Sequence, residues 1–358
     1  MLAARLYGPN QLRFEQVPVP ELEEGEALIR IAACGVCPSD VRLFTGNARL
    51  PVGKVPFLAG HEWVGEVVSV RVSGPIQSAI RPGARVAACW LSSCGECEFC
   101  RRGYPNYCVQ DNRARVTGGF AEYGKAPVTS LWELPASLAY EEAVFAEPLA
   151  CCVNGQERSR IAARDEVLVI GAGPVGLLHA QLAHVQGARV IVCDLAAERL
   201  EIARGLGIEE TLLIGDVTSP SMAYRLAAER VRKMTEGKGP DKVIVATNSV
   251  DAVSWALEVI APCGILNVFA GLYPESHLSL DLNAVHYKQV TITGSHDFNH
   301  THFDAAVNLI VRGRVNVRKL ISHVVPLAEL EEAFRIVAQR RGMKVVVSPD
   351  RFEPSRSL

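Results

Sequence analysis

Four cysteines stand in the run Cys94-Gly-Glu-Cys97-Glu-Phe-Cys100, closed by Cys108, a C-x2-C-x2-C-x7-C array. Zinc takes four ligands in a tetrahedron, and thiolates on one tight loop can supply all of them. Such a site leaves no position open to water and is structural, and a loop with little apolar core folds together with its metal. An iron–sulfur cluster or a redox pair would also use closely spaced cysteines; zinc is the expectation. The chain has 11 cysteines, which suits metal ligands and buried thiols better than a disulfide framework. Cys34, Cys89, Cys151, Cys152, Cys193 and Cys263 are expected to be small buried hydrophobes.

The second pattern is Gly171-Ala-Gly173-Pro174-Val175-Gly176. It follows an apolar strand-like run, Glu166–Ile170, and opens a helix-like stretch, Pro174–Gln186. In that context glycine permits the tight turn and a close backbone approach, while the helix N-terminus attracts pyrophosphate. Asp194 ends the next apolar run, where an acid binds both hydroxyls of a ribose. A carboxylate there repels a 2′-phosphate, which favours NAD over NADP; Arg199 stands close enough in sequence to argue the other way, unless it is a surface charge.

The elements around these motifs change character along the chain. Before residue 150, short β-type runs such as Ala27–Ala32, Trp63–Val70 and Arg85–Ala88 are broken by Gly and Pro. From about residue 162, strands and helices alternate: Val190–Cys193, Ala196–Leu206, Thr211–Ile214, Met222–Thr235, Lys242–Ala246, Val250–Ile260 and Ile265–Phe269. Alternation of this kind predicts a doubly wound parallel sheet, an α/β fold. A helix over Phe303–Arg312 and a strand over Lys344–Ser348 follow. The length of 358 residues suggests two domains. The net charge of −2 gives no push toward nucleic acid or membrane. Residues 1–11 lack a secretory pattern, so a cytoplasmic protein is expected.

Further metal-ligand types lie scattered: Cys37 before Pro38-Ser39-Asp40, His61 and Glu62 in Gly60-His-Glu-Trp-Val-Gly65, and Glu147 in Ala146-Glu-Pro-Leu149. Each alone is a weak signal. Their order, with the cysteine array, Gly118-Gly-Phe-Ala-Glu-Tyr123 and the glycine motif, resembles the zinc-containing medium-chain dehydrogenases over essentially the whole length. The polyol (sorbitol-like) and threonine dehydrogenase branches are the nearest in pattern.

That resemblance implies a β-rich GroES-like catalytic domain, residues 1–152 and 296–358, around a Rossmann domain, residues 153–295, with the active site in the cleft between them. It implies a catalytic zinc on Cys37 and His61, with Glu62 as third ligand, direct or through water, and Glu147 at the metal as an exchangeable group. Cys94, Cys97, Cys100 and Cys108 would hold a second, structural zinc. Ser39 would take the substrate proton and Asp40 would orient the ligand histidine. Gly171, Gly173, Pro174, Val175, Gly176, Asp194 and Arg199 would bind NAD. Zinc would stabilise an alkoxide and the nicotinamide would accept hydride from a secondary alcohol: a polyol, sugar, cyclitol or amino alcohol. Threonine dehydrogenation, a non-catalytic zinc-stabilised protein and a zinc-independent quinone-type reductase are the alternatives. A homo-oligomer, tetramer or dimer, is expected.

Two departures stand out. Arg42 replaces a histidine frequent in relatives, so the proton would leave through water, or Arg42 would hold a cofactor phosphate or ribose, unless it is simply a solvated charge. Pro38 replaces a frequent glycine and should stiffen its loop. The run Ser295-His-Asp-Phe-Asn-His-Thr-His302 carries three histidines. It could be a third metal site, a plain surface loop, or a wall of the substrate pocket in which Asp297 and His296 favour a hydroxyl-rich or amine-bearing substrate over a phosphorylated or carboxylated one.

Overall fold

The computed structural model describes residues 1–50, 53, 55–73, 80–109, 116–215, 220–273 and 276–349. The chain divides into two compact units. One comprises Met1–Ala150, Phe298–Gly313 and Leu320–Leu358; the other comprises Cys151–Asp297 and Arg314–Lys319.

The first unit is β-rich. Its largest sheet runs, in spatial order, Ile321–Pro326, Lys344–Ser348, Glu26–Gly35, Glu62–Arg71, Arg85–Ala88 and Leu131–Glu133, with Tyr123–Pro127 also paired to Glu26–Gly35. A smaller sheet joins Gln11–Gln16, Leu2–Gly8 and Phe57–Leu58. The strand Glu26–Gly35 alternates inward, putting Ala27, Ile29, Ile31 and Ala33 in the core, as the period of two requires. Trp63, Val67, Phe120 and Val345 pack into the same core. The helix Leu330–Ala338 closes it with Leu330, Ala333 and Phe334, one helical face at i, i+3 and i+4. Phe334 meets the rings of Phe44 and Phe120.

The second unit holds a six-stranded parallel sheet in the order Glu210–Leu213, Arg189–Asp194, Glu166–Ile170, Lys242–Val245, Ile265–Val268, Thr291–Gly294. In chain order this is 3-2-1-4-5-6, the doubly wound dinucleotide-binding arrangement, which reverses direction at Glu166–Ile170. The central strands are buried along nearly their whole length, as parallel strands covered on both faces must be.

The alternating elements expected from the sequence lie within two residues of their observed bounds. The helices Ala146–Ser159, Leu282–Lys288 and Leu330–Ala338 and the strand Thr291–Gly294 were not foreseen. The helix expected from Phe303 begins at His300, because Asn299 caps it: its side chain accepts from the His302 amide at 2.9 Å, and His302 Nδ1 accepts from the Asn299 amide at 3.2 Å. Two cysteines depart from the buried expectation. Cys263 is exposed in a turn at φ 62°, and Cys151 is half-buried.

Candidate metal centres and cofactor site

Cys37 precedes the short helix Pro38–Phe44, with Pro38 pre-set for its first turn. His61 and Glu62 lie at the start of the strand Glu62–Arg71. Sheet register brings them together, since Gly35 pairs with Glu62 across the neighbouring strand. One donor atom each from Cys37, His61 and Glu62 lies within 4.8 Å of the others.

Asp40 organises this group. Its carboxylate is 2% exposed. Oδ2 accepts from the Cys37 amide and Oδ1 from the Gly60 amide, both at 3.2 Å. His61 Nδ1 lies 3.4 Å from the same Oδ1. This leaves Nε2 of His61 as the nitrogen for a metal. Burial opposes charge on His61, yet the Asp40 carboxylate and the Cys37 sulfur outweigh it and hold the imidazole pKa well above its ordinary value. A site that stabilises a proton on the imidazole in this way also suits a divalent cation in its place.

Two neighbours were not foreseen as part of this site. The Trp90 ring sits 5.9 Å from that of His61, centroid to centroid. Lys344, 7% exposed, forms an ion pair with Glu62 Oε2 and donates to the Val36 carbonyl at 3.3 Å. Burial works against its charge, but Glu62, Cys37 and Glu147 together raise its pKa above the ordinary lysine range. A lysine leading an apolar strand was visible in the sequence; its partner was not. Glu147 is buried in the first turn of Ala146–Ser159, outside the three-donor group but near enough to act on Lys344. Ser39 is half-buried on Pro38–Phe44, and Arg42 lies in the same helix's last turn.

The four cysteines of the array also converge, with one sulfur each within 4.8 Å of the rest. Cys94 Sγ accepts from the amides of Glu96 and Cys97 at 3.3 and 3.1 Å. Amides of Cys100 and Val109 pull the Cys97 thiol down to about 6, toward the thiolate a metal needs. Burial pushes Cys100 up to about 12. Tetrahedral bonds of about 2.3 Å set sulfurs about 3.8 Å apart, and Cys94 and Cys100 sulfurs lie 3.7 Å apart. The array fits zinc.

In the second unit the glycines divide their labour. Gly171 takes φ 104° at the end of Glu166–Ile170. A β-carbon on Gly176 would overlap the Gly171 carbonyl, so this position needs glycine for turn and helix to pack. Gly173, at the cap of Pro174–Val185, is open: among the described residues only Arg199 Nη1 comes near its β-position, at 4.0 Å. The Asp194 carboxylate accepts from the Ala172 amide at 2.6 Å and the Ala196 amide at 2.9 Å, which fixes it at the strand end beside the glycine turn.

The three histidines of 296–302 do not converge. His302 caps its helix, and His300 Nε2 lies 3.3 Å from the Leu91 carbonyl, its ring beside Trp132. The His296 side chain is 75% exposed, while that of Asp297, at φ 61°, is buried.

Residues 23–136 match the alcohol dehydrogenase GroES-like domain, and residues 174–312 match the zinc-binding dehydrogenase domain. D-arabitol-phosphate dehydrogenase of Enterococcus avium is 32% identical over 96% of both chains. The chain belongs to the zinc-binding alcohol dehydrogenases. Sorbitol dehydrogenase of Bombyx mori is likewise 32% identical, over 96% of this chain and 97% of its own. A zinc-binding dehydrogenase of Sinorhizobium meliloti bound to NADP superposes with a TM-score of 0.85 at 28% identity, covering 97% of this chain and 99% of that one. Membership makes the chain a zinc-dependent alcohol oxidoreductase of GroES-like and Rossmann architecture. No helix among the described residues is long and apolar enough to cross a membrane.

Proposed function

We propose that the chain oxidises a secondary alcohol of a polyol or related hydroxyl-rich compound, with NAD as acceptor. The observation that carries this reading is the meeting of Cys37, His61 and Glu62 donors within 4.8 Å, backed by buried Asp40. When bound, zinc supplies a Lewis acid for the alcohol oxygen and the nicotinamide supplies the hydride acceptor. Asp40 holds the His61 ring so that Nε2 faces the metal. Ser39 accepts the substrate proton and passes it outward. Glu147 is a second carboxylate at the metal that exchanges with water or substrate, and Trp90 walls the approach to His61. Cys94, Cys97, Cys100 and Cys108 hold a second zinc that orders their loop. The β-rich unit is the catalytic domain and the parallel-sheet unit the cofactor domain.

Gly171, Gly173, Pro174, Val175 and Gly176 cradle the pyrophosphate at the helix N-terminus. Asp194 takes the ribose hydroxyls, and this fixed carboxylate favours NAD over the NADP found in the Sinorhizobium structure. Arg199, over the open Gly173, faces the phosphates. The Bombyx relative, a sorbitol dehydrogenase, supports a polyol substrate, and the Enterococcus relative, named for arabitol phosphate, supports a polyol backbone that carries a phosphate. A four-thiolate site suits a reducing compartment such as the cytoplasm. The exposed edge strand Thr291–Gly294, with Ile292, and exposed Tyr287 and Leu282 nearby support a homo-oligomer. The test is a substrate panel of polyols, cyclitols, amino alcohols and threonine with NAD and NADP, alongside elemental analysis. Polyol turnover with NAD and two zinc ions per chain are expected; turnover in a preparation free of zinc would end the proposal.

A further inference from the structure

Three adjacent strands place three residues on one spot. In the sheet of the first unit, Glu26–Gly35 lies between Lys344–Ser348 and Glu62–Arg71. Gly35 pairs with Glu62 on one side and with Val346 on the other. Over Gly35 the flanking side chains meet as the ion pair of Lys344 with Glu62 Oε2. A β-carbon on Gly35 would overlap Glu62 Oε2 and come within 2.8 Å of Lys344 Cε. Gly35 has no left-handed φ to explain it. Its missing side chain is the space that the ion pair fills.

A carboxylate has two oxygens, and here one of them faces a buried cation. Oε2 is engaged by a buried ammonium. The carboxylate also takes part in the three-donor group with Cys37 and His61. We propose that Lys344 is a positioning residue: it clamps Oε2 above Gly35, leaves Oε1 as the single donor toward the metal, and so keeps Glu62 an exchangeable ligand. This rests on the zinc reading of Cys37 and His61. The physical reason is competition for charge. An ammonium in a poorly solvated site draws electron density from the carboxylate, and a clamped oxygen cannot swing round to chelate. Without Lys344 the carboxylate turns its full charge on the metal, and the position that an alcohol needs is taken more of the time.

The readout is zinc retention by the holoprotein. Lys344→Met should release catalytic zinc to a chelator about tenfold more slowly than the wild type, the scale on which residues behind the ligands tune metal sites. Lys344→Gln, which keeps a hydrogen-bond donor but no charge, should behave likewise and carries the test if the methionine variant fails to fold. Lys344→Arg should release zinc at the wild-type rate. With cobalt in place of zinc, the methionine and glutamine variants should absorb more weakly in the visible, as a higher coordination number dictates. In a Glu62→Gln background the effect of Lys344→Met should vanish. Release from Lys344→Met or Lys344→Gln at or above the wild-type rate, or an effect that persists in Glu62→Gln, overturns the proposal while leaving the zinc reading intact. A wild-type chain without zinc at Cys37 and His61 would overturn both.

Discussion

Acidification should weaken the parallel-sheet unit through one residue, His179. It lies on Pro174–Val185, fully buried, with its ring edge-on to Phe269 at 4.3 Å between centroids. The Gln156 amide lies 3.1 Å from Nδ1 and donates to the His179 carbonyl. Burial alone pushes the imidazole pKa down from 6.5 to about 3. A group depressed in the folded state binds its proton more readily when unfolded. The stability it contributes is therefore full above about pH 6.5 and is lost as the pH falls toward about 3. At about 1.4 kcal/mol per pH unit, roughly 2 kcal/mol disappears between about pH 7.5 and pH 5. That corresponds to roughly 4–8 °C in the Tm of a unit of this size. His179→Asn removes the titration and keeps an oxygen for Gln156. Calorimetric melts of both proteins at the two pH values give the answer. The wild type should lose several degrees more than the variant over this interval, zinc-site effects being common to both. Equal losses, or a His179 ring signal that titrates near pH 6 by NMR, would refute the reasoning.

Cys37→Ser should abolish turnover and leave one zinc per chain instead of two, with a Tm close to that of the wild type, by steady-state assay and elemental analysis. Cys97→Ser should open its loop to limited proteolysis and lower the Tm before it touches the chemistry, since the four sulfurs lie within 4.8 Å of one another. Gly176→Ala and Gly173→Ala should separate cleanly. The first forces a β-carbon into the Gly171 carbonyl and should cost several degrees of Tm or prevent folding. The second meets open space near Arg199 and should keep the Tm but weaken NAD binding about tenfold or more by titration calorimetry. Phe334→Ala should cost about 3–5 kcal/mol by urea unfolding, for the cavity it leaves beside Phe44 and Phe120.

The cysteine array, the glycine turn and the alternating strands and helices were legible because each is a local matter. Four sulfurs within 15 residues can close on one ion whatever the rest of the chain does. Gly171 answers its own left-handed φ of 104°, and Gly176 answers the Gly171 carbonyl five positions before it. Short apolar runs of four to six residues between turn signals were enough to order the second unit. The helix Leu282–Lys288 escaped because it is short and has no buried face to leave a period. That Cys37, His61 and Glu62 form a group came from resemblance, since none of the three carries a distinctive spacing by itself. Lys344, Gly35 and Trp90 were hidden for a different reason. Their meaning depends on which strands become neighbours, and the strand Lys344–Ser348 finds its place beside Glu26–Gly35 through pairing between opposite ends of the chain. Local periodicity and turn chemistry are written in consecutive residues. The charge that stands opposite a carboxylate in a buried sheet is decided only when distant segments pack and exclude water.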